Sequence, residues 1–160
     1  MKLNKKEQKE IAEKNSKLES IKPILKSEFI GIDDVIDKII ESIRPFYVFP
    51  KSLKRPLIVN LWGLTGTGKS SIVERIIDLL DLRSRYSKFD VGEYSSASGD
   101  WKLKNDLGES TTNIERKDMI FIFDEFQLGR TIDISGKELN KTSLRPMWEL
   151  IDHGVIHEFN

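Results

Sequence analysis

Residues 57–71 read LIVNLWGLTGTGKSS, and this run joins an apolar stretch of strand length, a glycine loop and the start of a helix. Gly63 and Gly68 fill the two glycine positions of G-x-x-x-x-G-K-[ST], and Lys69 and Ser70 complete it. Glycine admits positive φ and lets backbone N–H groups approach an anion with no Cβ in the way. A helix starting near Lys69 aims its unpaired amides and the positive end of its dipole at the same anion. The stretch therefore predicts a nucleotide-phosphate site formed by Gly63, Thr65, Gly66, Thr67, Gly68, Lys69, Ser70 and Ser71. In it Lys69 reaches the β- and γ-phosphates and Ser70 holds Mg2+. The flanks agree with this reading. Residues 57–62 are apolar apart from Asn60 and predict a strand, while Ile72, Val73, Ile76, Ile77 and Leu80 change to helical spacing.

Toward the C-terminus, residues 119–123 (MIFIF) are apolar at every position, as in a central parallel strand covered on both faces. Asp124 and Glu125 follow at its carboxyl end, the edge where open α/β sheets bind ligands. With a phosphate loop in the same chain, Asp124 is the expected Mg2+ ligand beside Ser70. Glu125 is the group expected to orient a water against the γ-phosphate. Between these motifs, SKFDV (87–91) reads as a second short strand. The polar residues 93–115 read as loop with a short helix over 100–106. Leu144, Met147, Trp148 and Ile151 space a final helix, with Ser143 as its cap, Pro146 in the first turn and Gly154 just past the end. Residues 155–159 are a short strand at most.

Toward the N-terminus, residues 1–22 carry many lysines and glutamates around only Leu3, Ile11, Ala12, Leu18 and Ile21. So thin a stripe predicts a solvated helix or a frayed tail, ended by Pro23. A second helix, capped by Asp33 and ended by Pro45, places Val35, Ile36, Ile39, Ile40 and Ile43 on one face. Residues 46–55 read as an irregular connection.

Composition sets the bounds. The 160 residues are enough for one domain with a core after the charged head. Lys+Arg and Asp+Glu are 26 each, so no global field favours nucleic acid, a membrane surface or acidic partners. Without cysteine there are no disulfides, thiolate metal sites or cysteine nucleophiles, which fits a reducing compartment. With no run of transmembrane length and no signal-peptide pattern, the expectation is a cytoplasmic chain with no membrane partner.

GLTGTGKS (63–70) and IFIFDE (120–125) together resemble the AAA+ ATPases, and shorter matches resemble their Clp-like unfoldase branch. FIGIDDVIDKIIESIR (29–44) is similar to the segment that packs on adenine there, which implies Phe29, Ile30 and Gly31 as contacts to the base. FDVGEY (89–94) resembles the segment after the family's second strand, and MWELIDHGVIHE (147–158) the helix and glycine turn after its acidic motif. The resemblance implies an α/β P-loop NTPase fold of three layers over residues 23–160, with a mostly parallel central sheet. It implies ATP with Mg2+ as ligands, a homo-oligomer in the full-length protein, and a protein or nucleic-acid substrate to be remodelled. The family continues into a sensor strand, an arginine finger and a helical lid. The chain is therefore expected either to be truncated at its C-terminal end, leaving the sheet incomplete, or to pair the two motif strands directly as GTPase- and kinase-like relatives do, and to bind nucleotide better than it hydrolyses it. A replication helicase of the superfamily 3 type and a nucleotide-binding module without turnover are the alternatives. Trp101 reads as loop packing, Arg130 and Arg145 as solvated arginines and His153 and His157 as surface or helix-end histidines, while Lys104, Arg116 and Lys117 are too sparse for a nucleic-acid groove.

Overall fold

The computed structural model describes residues 4–64, 66–96, 98–111, 118–129, 135–138 and 144–154. The chain divides into two compact units, Met1–Ser84 and Arg85–Asn160.

The N-terminal unit is built on three helices: α1 (Lys5–Glu28), α2 (Asp33–Val48) and α3 (Lys69–Leu79). A capping box starts α1. The Asn4 side chain accepts from the Glu7 amide at 2.8 Å, and the Glu7 carboxylate accepts from the Asn4 amide at 2.9 Å. Helix α1 packs on α2 and α3. Leu18, Ile21 and Leu25 form its buried stripe, while α2 buries Ile36, Ile39 and Ile40, and α3 buries Ile72, Ile76 and Ile77. The charges of α1 flank that core. Arg44 of α2 donates to Glu19 at 2.6 Å, to Asn15 at 2.5 Å and to Glu41 of its own helix at 2.7 Å, while Lys22 bridges Glu19 and Glu41. Arg75 of α3 forks onto Glu28 of α1 at 2.6 and 2.7 Å.

Both prolines expected to end helices lie inside them. Proline in a helix interior costs about 3 kcal/mol, and a fully buried Leu or Ile side chain returns roughly 1.5–3 kcal/mol. Leu25 beyond Pro23, and Val48 beyond Pro45, are buried and draw each helix onward. Residues 5–22 of the head are thus helical, with Leu18 and Ile21 buried, and residue 22 falls within α1. Asp33 is not the cap of α2. Ile32 holds that position without a side-chain bond, and Asp33 and Asp34 lie in the first turn, where their charge meets the positive end of the dipole. Val35 is exposed rather than on the buried face.

Residues 57–62 do not form the expected strand. A strand needs a neighbour for its backbone donors and acceptors. Among the described residues the only paired strands are β1 (Tyr86–Asp90) and β2 (Ile120–Asp124), both in the C-terminal unit. Leu57, Ile58 and Val59 are accordingly 37–48% exposed.

In the C-terminal unit, β1 and β2 run parallel, with Tyr86 opposite Ile120 and Asp90 opposite Asp124. Side chains alternate between faces along each strand. Phe89 stacks on Phe123 at 5.5 Å between ring centroids and meets Phe121 at 6.0 Å. These rings join a core of Val91, Tyr94, Leu103, Leu107, Leu144 and Met147, supplied partly by α4 (Gly99–Thr111) and α5 (Arg145–His153). Lys88, Asp90 and Asp124 take the alternate positions. The residues of β2 are all half-buried, so its coverage is less complete than the uniform apolar run predicts. Helix α4 is longer than the short helix expected. Helix α5 carries Pro146 in its first turn and ends on Gly154, left-handed at φ +69°. The Ser143 cap and the strand over 155–159 lie outside the described residues. The class is mixed α/β with a parallel pair.

Candidate functional site

The glycine loop lies in the N-terminal unit and feeds directly into α3. Gly66 and Gly68 sit at φ +79° and +81°, where an L side chain costs about 1–2 kcal/mol. Gly68 occupies the helix cap and has no side chain to satisfy the amides that follow. The loop is closed by its own side chains. Thr67 Oγ1 donates to the Leu64 carbonyl at 2.8 Å, and Lys69 Nζ donates to the same carbonyl at 2.7 Å and to that of Gly63 at 2.9 Å. Among the described residues, no backbone carbonyl accepts from the amides of Gly66, Thr67 or Gly68. These three donors, one lysine and a helix N-terminus fit an anion of phosphate type. Ser70 is half-buried and Ser71 exposed in the first turn of α3. Thr65 lies outside the described residues.

Phe29, Ile30 and Gly31 link α1 to α2. The Phe29 amide caps α1 through the Leu25 carbonyl at 2.8 Å, Gly31 turns at φ +85°, and Ile30 is 88% exposed. An apolar side chain so open to solvent is available to a planar ring.

The acidic pair lies in the C-terminal unit. Asp124 closes β2 opposite Asp90, and both of its oxygens are engaged: Oδ1 accepts from the Glu125 amide at 3.0 Å, and Oδ2 lies 3.1 Å from Lys88 Nζ. Glu125 is left-handed, at φ +52° and ψ +39°. That conformation is unfavourable for a residue with a Cβ, and strain of this kind concentrates at functional sites. Gln127 donates to the Glu125 carboxylate, and the 3-10 turn Phe126–Leu128 closes with Leu128 N to Glu125 O at 2.8 Å. Ser95 Oγ donates to the carbonyls of Gly92 and Leu128 at 2.7 and 3.1 Å, tying the turn after β1 to the turn after β2.

The structure thus brings Gly63, Thr67 and Lys69 together in one unit and Lys88, Asp124 and Glu125 together in the other. Sequence reasoning missed Lys88, Gln127 and Ser95. Only Lys88 carries a legible signal, two residues before Asp90 and so on the same face of β1.

Among the described residues, no group of three or more His, Asp or Glu side chains is arranged to hold a metal alone. Mg2+ usually takes one or two carboxylates and completes its shell with phosphate and water oxygens. The hydroxyl of Ser70 and the carboxylate of Asp124 are donors of that hard-oxygen type, and Asp124 Oδ2 already holds one cation, the Lys88 ammonium.

The remaining candidates carry less. Trp101 is 62% exposed on α4, Arg145 pairs with Glu149 at 2.9 Å, and His153 lies in the last turn of α5. Arg116, Lys117, Arg130 and His157 lie outside the described residues. Tyr94 donates to Asp106 at 2.8 Å, and burial, followed by that bond, pushes its hydroxyl well above the ordinary tyrosine range. Among the described residues, no helix is long and apolar enough to cross a membrane. No family model, curated protein or solved structure matches the chain.

Proposed function

We propose that the chain is an ATP-binding P-loop NTPase domain of AAA+ type that hydrolyses Mg-ATP to remodel a protein or nucleic-acid partner. The glycine loop supports this reading most directly, with left-handed Gly66 and Gly68, amides that no backbone carbonyl of the described residues accepts from, and Lys69 starting α3. The strained Glu125 beside Asp124 at the end of a parallel strand is the second support.

In this mechanism the loop amides and the Lys69 ammonium bind the β- and γ-phosphates, and Lys69 exchanges two loop carbonyls for phosphate oxygens. Ser70 and Asp124 are the residues that hold Mg2+, which when bound neutralises charge developing on the phosphates. Glu125 orients the attacking water, its carboxylate steered by Gln127. Phe29, Ile30 and Gly31 pack on adenine. A homo-oligomer of the full-length protein supplies the arginine finger.

Two variants test the reading through ATP binding and phosphate release by the 160-residue chain. K69A removes charge-assisted hydrogen bonds worth about 1.5–3 kcal/mol each, so ATP affinity falls roughly 10- to 100-fold or more. E125Q keeps binding and abolishes whatever turnover the wild type shows. ATP affinity in K69A equal to that of the wild type overturns the proposal. A wild type that binds ATP but behaves identically to E125Q supports the binding module without turnover.

A further inference from the structure

Helix α1 ends on an acid placed where its buried stripe would continue. Leu18, Ile21 and Leu25 are buried, and Glu28 follows Leu25 at the next helical step on that face. On α3, Arg75 shares a face with Ile72 and Ile76, both buried, and α1 packs on α3. The two charges therefore meet at the end of an apolar contact. Arg75 Nε donates to Glu28 Oε2 at 2.7 Å and Nη2 donates to Oε1 at 2.6 Å, a fork that fixes direction as well as distance. Those hydrogen bonds hold the Glu28 carboxyl below its ordinary range, so the pair is ionised at neutral pH.

What this fork anchors is the linker of residues 29–32. Glu28 is the last residue of α1, and Phe29, Ile30 and Gly31 follow at once, with Ile30 exposed and Gly31 turned at φ +85°. On the other side of the linker, Lys26 Nζ donates to Asp37 Oδ2 at 2.7 Å and ties the last turn of α1 to α2. The linker is thus fastened to α2 at one side and to α3 at the other. Arg75 stands six residues after Lys69, roughly 9 Å along the same helix. One helix therefore carries the glycine loop at its start and the grip on the linker in its second turn.

We propose that the Glu28–Arg75 pair is the positioning contact that holds the linker Phe29–Gly31 in register with the glycine loop, so that a nucleotide anchored by its phosphates meets the linker with its base. The inference rests on the nucleotide-binding reading above and adds Glu28 and Arg75 to it. A ligand with two ends gains from its second contact only when the geometry lets both engage at once. Fixing the linker beforehand removes ordering that would otherwise accompany binding. The pair thus acts on nucleoside triphosphates and leaves inorganic polyphosphate, which has no base, untouched.

Isothermal titration calorimetry of the 160-residue chain with ATP and, separately, with inorganic tripolyphosphate at the same Mg2+ concentration tests this. In R75Q, ATP affinity falls roughly three- to fivefold, near the upper end for an exposed ion pair because the fork is bidentate. Tripolyphosphate affinity stays at the wild-type value. The charge-swapped E28R/R75E chain, which can rebuild the pair, recovers ATP affinity. A merely structural pair would weaken both ligands alike, and that result overturns the inference. So does unchanged ATP affinity in R75Q, or a swapped chain no better than R75Q. E28Q takes the place of R75Q if melting shows that R75Q has lost its fold. A wild type that binds tripolyphosphate as tightly as ATP overturns this inference alone, since the phosphate site then stands without a base contact. A wild type that binds neither overturns it together with the nucleotide-binding reading.

Discussion

Replacing Gly129 with alanine would build a Cβ 2.8 Å from Leu144 Cδ1, 3.1 Å from the Phe126 carbonyl oxygen and 3.2 Å from Val91 Cγ1. None of these neighbours yields easily. Val91 and Leu144 are core residues, 0% and 3% exposed, and the Phe126 carbonyl accepts the Gly129 amide that ends the turn after Glu125. The backbone at Gly129 has a negative φ, at −69°, so the cost is one of space. Overpacking of this kind costs about 1–3 kcal/mol. Gly108 supplies the opposite sign from the same substitution. It lies within α4 with nothing within 4 Å of its built Cβ, so G108A should stabilise by about 0.5–1 kcal/mol through helix propensity. At roughly 4–8 °C per kcal/mol for a small domain, G129A lowers the melting midpoint by about 4–24 °C and G108A raises it by about 2–8 °C. Thermal unfolding of the full chain, followed by circular dichroism and tryptophan fluorescence, reads both, since Trp101 and Trp148 report from the C-terminal unit. A G129A protein melting with the wild type, or a G108A protein losing as much as G129A, would refute the steric argument.

Two further outcomes concern the N-terminal unit. L25A removes a fully buried side chain from the stripe that carries α1 past Pro23, and should cost about 2–5 kcal/mol in urea denaturation. If the cost is near zero, burial is not what extends that helix. The second outcome depends on pH. Arg44, and then Lys22, hold the Glu41 carboxyl down at about 2, against 4.5 for an unperturbed glutamate. The unfolded chain therefore binds this proton more readily than the folded one, so stability rises with pH across the window between those values. The contribution is fully present above 4.5 and is lost as pH falls toward 2. E41Q should flatten that slope, and added salt should weaken it in the wild type because the pair is exposed. A slope unchanged in E41Q would rule out this network as its source.

The elements best legible in the sequence were those whose signal is local. Helix α3 begins where the glycine pattern ends, β1 and β2 fall within a residue of SKFDV and MIFIF, and Gly154 terminates α5 because a left-handed residue stops a helix wherever it stands. The errors came where a local rule met tertiary burial or the want of a partner. Pro23 and Pro45 break helices in isolation, yet Leu25 and Val48, within the next turn, are buried. Residues 57–62 have strand composition, but apolar content cannot supply a ladder, and within the N-terminal unit the described elements are helical. For the candidate site, residue types were readable and partners were not. Asp124 and Glu125 stand out as the acids after an apolar run. Gln127, which engages Glu125, carries no signal, and Lys88 is legible only by standing two residues before Asp90, its partner being set by the register of β1 against β2.

The charged candidates of each unit, taken separately, share one electrostatic arrangement. Lys69 rests on the carbonyls of Gly63 and Leu64, Asp124 rests on the Lys88 ammonium, and Glu125 takes a hydrogen bond from Gln127. Each charged group thus has a partner within its own unit, which avoids the penalty of leaving partly buried charge unpaired. Under the proposed function each such partner would be exchanged on binding, so the net gain from each contact would be the difference between two hydrogen-bonded states. That difference is small for a cation moving from carbonyl to carbonyl. It is large for Lys69 moving onto phosphate oxygens, because the acceptor then carries charge. Under the proposed function, Lys69 would therefore favour an anionic ligand at the glycine loop, because it alone would trade neutral acceptors for charged ones.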